Sequence, residues 1–141
     1  QLNSNFVIIQ KVTKYMKKNK SASIVNMSSV YGVIGPEFSI YEGTSLTTPA
    51  AYSAIKGGVI NFSRYLASYY GKYGLRINCV SPGGLESNQP KDFKSRYNKY
   101  VPLKRMANQN DLKGLIRYLI SEESNYMTGQ NLILDGGWTL S

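Results

Sequence analysis

The sequence predicts an α/β fold in which a parallel sheet is wound on both sides by helical crossovers, and three observations predict it. Segments with apolar residues at helical spacing alternate with short apolar runs, in the order helix, strand, helix, strand, helix, strand. The strand-like runs are continuously apolar rather than alternating, as expected of strands covered on both faces. Two of them end in serines or glycines, "NMSS" and "LDGG", the small polar rim where a buried parallel strand opens onto a functional surface.

Leu2, Phe6, Ile9, Val12 and Met16 recur at helical spacing with lysines on the other face, so an amphipathic helix is predicted to about Asn19. "SASIVNMSS" then supplies a short strand through Ile24, Val25 and Met27. Residues 32–49 hold Gly32, Gly35, Pro36, Gly43 and Pro49, a density of breakers that predicts an irregular loop. Ala51, Ile55, Val59, Phe62, Leu66 and Tyr69 or Tyr70 form the apolar stripe of a helix of about twenty residues, with Gly71 and Gly74 suited to ending it. "LRINCV" reads as a second strand, followed by the loop "SPGGLESNQP" and a basic helical stretch over 91–99. Asp111 is suited to starting a further helix with Leu112, Leu115, Ile116, Leu119 and Ile120 inward, and "NLILDGG" forms the last strand. No internal repeat or linker marks a second domain.

Composition narrows the chemistry. The 141 residues contain no histidine and one cysteine, which excludes imidazole-based triads, His-ligated metal sites and an internal disulfide, and leaves no metal site predicted. Acid and base work falls to Tyr, Lys, Ser or a carboxylate. Cys79, between Val80 and the strand residues before it, reads as a small core residue. The net charge of +9 comes from lysines and arginines grouped near the start (Lys11, Lys14, Lys17, Lys18, Lys20) and past the middle (Lys91, Lys94, Arg96, Lys99, Lys104, Arg105), which read as solvated faces. A nucleic-acid partner is not predicted, because no aromatic and basic repeat accompanies the charge. No run of eighteen apolar residues and no signal-peptide pattern occurs, so neither a membrane partner nor export is expected and the location expected is cytoplasmic.

The stretch "AAYSAIKGG" sets Tyr52 and Lys56 four apart, on one face of the predicted helix. A fixed ammonium beside a phenol favours the phenolate, which turns a weak acid into a proton-transfer group. Alone, such spacing arises by chance in a chain with 12 tyrosines. In context it does not stand alone: "IVNMSS", "YSAIK", "LRINCVSPGG" and "MTGQNLILDGG" follow one another in this order along nearly the whole chain.

These four segments resemble the C-terminal half of the short-chain dehydrogenase/reductase family, and the resemblance implies the corresponding part of a Rossmann-like domain. It implies an oxidoreductase that moves a hydride between NAD or NADP and a carbonyl or secondary alcohol. By motif, Ser29 would steady the substrate oxygen, Tyr52 would exchange its proton, and Lys56 would support Tyr52 and hold the nicotinamide ribose, with Tyr52 also counted among the cofactor-binding residues. Pro82 and Gly83 fall in the turn that meets the nicotinamide, Leu85 where main-chain groups hold its carboxamide, and Ser87 where the family usually has a threonine. Ser28 reads as a strand-end hydroxyl capping nearby backbone. The family asparagine of the preceding helix maps to Gln1, where it is replaced, or by a shifted register to Asn3, or its role is lost.

Ser29 and Tyr52 lie 23 positions apart, about twice the family's usual separation. The extra segment carries Glu37, Tyr41, Glu42, Thr44, Ser45, Thr47 and Thr48, and a polar or sugar-like substrate is expected from it, as in family members of bacterial surface-sugar pathways. The glycine-rich dinucleotide turn that the family places upstream of the first helix does not occur in the 141 residues, so residues 1–141 are expected to form a single, partial domain carrying the catalytic half. The alternative is a truncated, catalytically silent interaction module of the same fold. On the same resemblance, homo-oligomers are expected through the first helix and the tyrosine-bearing helix.

Overall fold

Parallel strands need a crossover long enough to return the chain to the same end of the sheet, and the described part of the chain supplies two. The computed structural model describes residues 2–18 and 22–140. Helix α1 (Leu2–Met16) leads to β1 (Ala22–Met27), α2 (Ala50–Tyr70), β2 (Leu75–Pro82), α3 (Lys91–Tyr100), α4 (Gln109–Ile120) and β3 (Asn131–Leu134). The sheet is parallel throughout, in the order β1-β2-β3, with Ala22 opposite Leu75 and Cys79 opposite Asn131. Asn19, the expected end of the first helix, lies outside the described residues, as do Gln1 and Lys20.

Alternation along β2 builds the two layers. Leu75 and Ile77 pack with Ile9 of α1 and with Phe62, Leu66 and Ala67 of α2, and Cys79 joins Val59 and Ile60. Ile77 is fully buried, and a side chain of its size contributes about 1.5–3 kcal/mol when withdrawn from water. Arg76 is held at the end of α4, where its guanidinium donates to the carbonyls of Leu119 (3.2 Å) and Ser121 (3.0 Å). Those carbonyls belong to the negative end of the helix, which a cation complements. Ser23 donates to the same Leu119 carbonyl at 2.7 Å, so α4 is fixed across β1 and β2 on the face opposite α2. The buried Asn78 side chain donates to Met127 O and accepts from Gln130 N, setting the approach to β3.

Where the elements depart from the expected ones, the reasons are local. Helix α4 begins at Gln109, with Asn108 as its cap and Asp111 as the reciprocal partner of a capping box, rather than starting at Asp111. Ile120 is 59% exposed instead of inward, and Phe6 (51%) and Val12 (38%) are also exposed; of the two alternatives at the end of the α2 stripe, Tyr70 packs against the core and Tyr69 is 48% exposed. Apolar spacing identifies residues that share a face; it does not supply the surface that would cover them. The end of α2 is as expected: Gly71 caps it and Gly74 takes φ 75°, a conformation that favours glycine.

Beyond the C-terminal ends of the strands lies a second core of Val30, Ile40, Phe93, Tyr97, Val101, Met106 and Trp138. It gathers the breaker-rich segment, α3 and the C-terminal residues. That segment is irregular as expected but contains 3-10 turns at Val30–Gly32 and Phe38–Tyr41, and Ile40 within it is fully buried.

Candidate active site

The site begins where β1 stops. Ser28 N donates to Val80 O at 2.8 Å, extending the strand ladder by one bond, and its hydroxyl donates to Lys56 O at 2.7 Å. The turn that follows rests on the backbone of α2: a Cβ at Gly32 would stand 2.6 Å from Lys56 C and 2.8 Å from Gly57 N. Glycine at this position lets the strand end and the helix meet. Ser29, between these two contacts, caps the Val30–Gly32 turn, and its Oγ accepts from Tyr31 N at 3.2 Å. Accepting that bond occupies a lone pair and leaves the hydroxyl hydrogen free to be donated.

Tyr52 lies in the first turn of α2, and Lys56 one turn later. The Lys56 ammonium is 5.5 Å from the centre of the Tyr52 ring and donates to Met27 O at 3.2 Å, so it is held between helix and strand. Ser29 and Tyr52 line one cavity of about 510 Å³, together with Gly83 and Leu85 and with Pro82, which is the last residue of β2, paired with Leu134, and not part of the following loop as expected. Lys56 stands behind Tyr52 and does not line the cavity. Ser87 does not line it either; it is exposed, and its N–H donates to Gln89 Oε1 at 2.7 Å. Asn3 lines a groove between α1 and α2 instead, and Gln1 is outside the described residues.

The polar groups of the inserted segment divide. Tyr41, Thr47 and Thr48 line the cavity. Glu37 caps its own turn by accepting from Ser39 N, and hydrogen bonding by Ser39 holds its carboxyl below the usual range. Thr44 donates to Tyr41 O, while Glu42 and Ser45 face solvent.

Sequence reasoning missed the opposite wall. Tyr31, Gln89, Phe93, Tyr97 and Met106 also line the cavity. Tyr97 accepts from Gly84 N at 2.6 Å and stacks on Trp138 with centroids 4.4 Å apart, and burial pushes its phenol above the ordinary tyrosine value. Burial likewise raises Tyr31 and Tyr41, whose hydroxyls are 3.0 Å apart. The available signal was Phe93 and Tyr97, four apart on one face of a helix otherwise read as a basic, solvated surface.

Residues 1–139 match a family model described as enoyl-(acyl carrier protein) reductase. The post-translational flagellin modification protein A of Campylobacter coli is 36% identical over 131 residues, which are 93% of this chain and 51% of that protein. A short chain dehydrogenase from Leptospira borgpetersenii, solved with bound NAD+, superposes with a TM-score of 0.90 at 41% identity, covering 97% of this chain and 52% of the other. A gluconate 5-dehydrogenase from Burkholderia cenocepacia, solved with NADP and tartrate, superposes with a TM-score of 0.81 at 26% identity over 96% of this chain and 52% of the other. The chain thus spans about half the length of these relatives. With a parallel sheet wound on both faces, a family model matched almost end to end and these relatives, the chain belongs to the short-chain dehydrogenase/reductase family.

Proposed function

We propose that this chain is the catalytic part of an oxidoreductase domain that moves a hydride between NAD or NADP and a carbonyl or secondary alcohol of a polar, sugar-like substrate. The observation that carries the reading is that Ser29 and Tyr52, from different elements, line one cavity with Pro82, Gly83 and Leu85, while the Lys56 ammonium sits behind the phenol.

The donor set fits a nicotinamide nucleotide. Leu85 lines the cavity, and its main-chain N–H has no acceptor among the described residues, which suits a carboxamide oxygen. The Lys56 ammonium uses one of its protons on Met27 O and keeps two for ribose hydroxyls. Bound there, the nicotinamide supplies the hydride donor or acceptor. Ser29 then donates its remaining hydroxyl hydrogen to the substrate oxygen as negative charge develops on it. Tyr52 gives that oxygen a proton in reduction and takes it back in oxidation. Ser87 does not line the cavity, and its N–H is held by Gln89 Oε1.

Tyr52→Phe, in protein that includes the dinucleotide-binding half, is expected to lower kcat by about 10²-fold or more while leaving cofactor affinity within about twofold, since only the proton carrier is removed. Turnover at the native rate would refute the assignment. We also infer self-association through α1 and α2, supported by the exposed apolar residues Val7, Ile8 and Tyr65 on neighbouring helices. Sedimentation tests this: Ile8→Asp should lower the assembled fraction, and an unchanged profile would remove the inference.

A further inference from the structure

The cavity has a property that hydride transfer does not require. Among the described residues lining it there is no aspartate, glutamate, lysine or arginine. A carboxylate or phosphate withdrawn from water needs a cation or several charge-assisted donors, whereas a hydroxyl needs only one donor and one acceptor. Neither of the nearby cations lines the cavity. Lys56 is turned to Met27 O, and the Arg96 guanidinium donates to the carbonyls of Ile40 (3.3 Å) and Glu42.

That Arg96 contact brackets Tyr41, because it grips the carbonyls on either side of it. Tyr41 is held besides by the fully buried Ile40 and by its ring against Phe93, with centroids 5.3 Å apart. Its hydroxyl meets that of Tyr31, and their mutual bond uses one of the two phenolic hydrogens. One O–H and the remaining lone pairs stay open, a set that matches a substrate hydroxyl, itself both donor and acceptor. A phenol is neutral at physiological pH at its ordinary value, and burial raises both of these further. The flat rings of Phe93 and Tyr41 supply an apolar wall for the C–H face of a ring.

We propose that this site takes a neutral, ring-shaped, hydroxyl-bearing substrate, and that the hydroxyl pair of Tyr31 and Tyr41, positioned by Arg96, binds a substrate hydroxyl and disfavours carboxylates. The proposal rests on the oxidoreductase reading only in taking the cavity of Ser29 and Tyr52 as the substrate site.

Trp138, the only tryptophan in the 141 residues, stacks on Tyr97 of the cavity wall and so provides a binding signal independent of turnover. Fluorescence titration would use methyl glucuronamide and methyl glucuronate, which share ring and hydroxyls and differ in charge. The amide is expected to bind at least about tenfold tighter. Tyr31→Phe and Tyr41→Phe should each weaken amide binding by about three- to tenfold. Arg96→Met should weaken it similarly, and Arg96→Lys should restore part of the loss. Equal or tighter binding of the glucuronate, no binding of either probe, or unchanged amide affinity in Tyr41→Phe overturns the proposal. Tyr52→Phe separates the two readings: amide preference that persists in a protein without turnover supports this proposal whatever becomes of the hydride chemistry.

Discussion

Gly32→Ala tests how the site is assembled, because its effect follows from distances. The added Cβ would lie 2.6 Å from Lys56 C, against about 3.4 Å for an ordinary contact, and the obstacle is helix backbone that cannot rotate away. The turn must therefore retreat from α2 by about 0.8 Å. That displacement stretches the 2.7 Å bond from Ser28 Oγ to Lys56 O to about 3.5 Å, where little of it remains. Overpacking of this kind costs about 1–3 kcal/mol, and the lost hydrogen bond about 1 kcal/mol more. A total of about 2–4 kcal/mol corresponds to a fall in Tm of about 6–12 °C for a chain of this size. Urea unfolding of Gly32→Ala, Ser28→Ala and the double variant measures both parts. Ser28→Ala should cost about 1 kcal/mol alone and close to nothing beside Gly32→Ala, since the bond is already broken there. A Gly32→Ala protein as stable as the native one, or full additivity of the two changes, would falsify the account of how β1 is seated on α2.

Two further predictions concern other parts of the molecule. Asp111 is held at about 2, below the usual 3.8, first by the hydrogen bonds from Arg105 and then by Asn108 N. The unfolded chain binds that proton more readily, so the stabilisation is present above about pH 4 and lost as pH falls toward 2; Asp111→Asn should lower Tm at neutral pH and flatten the acid limb, and an unaltered acid limb counts against the assignment. Cys79 is 1% exposed and burial pushes its thiol up; labelling by a thiol reagent should follow the unfolding equilibrium, and rapid labelling of the native protein would contradict its place in the core.

What the sequence made legible was set by local rules. The spacing of Val59, Phe62 and Leu66 and the apolar run through Ile77 and Cys79 depend only on period and burial, and those elements lie where expected. The four ordered segments led to Ser29, Tyr52 and the turn at Pro82 because each sits at a strand end or first helical turn. Long-range packing was not legible. Nothing local marks Ile40 for burial, nor shows that Arg96, in a run of basic residues, spends its guanidinium on two carbonyls of the inserted segment. Phe6 and Ile120 fail in the opposite sense: their spacing is that of core residues, yet Ile120 is 59% exposed and Phe6, although its ring stacks on Phe62, stays 51% exposed.

The parallel pairing has a kinetic consequence. Among the described residues, every strand contact joins residues about fifty positions apart, Ala22 with Leu75 and Cys79 with Asn131, and none forms a hairpin that could start the sheet. Closing such loops costs entropy before any contact repays it, which places this topology among slow folders. Helices α2 and α4 depend on local bonds, whereas the strand end beside Ser29 is tied to β2 by the bond from Ser28 N to Val80 O. A ligand bound by Ser29 and Tyr52 would therefore recognise the paired strands together with the helix, and its binding during refolding would report when both are in place.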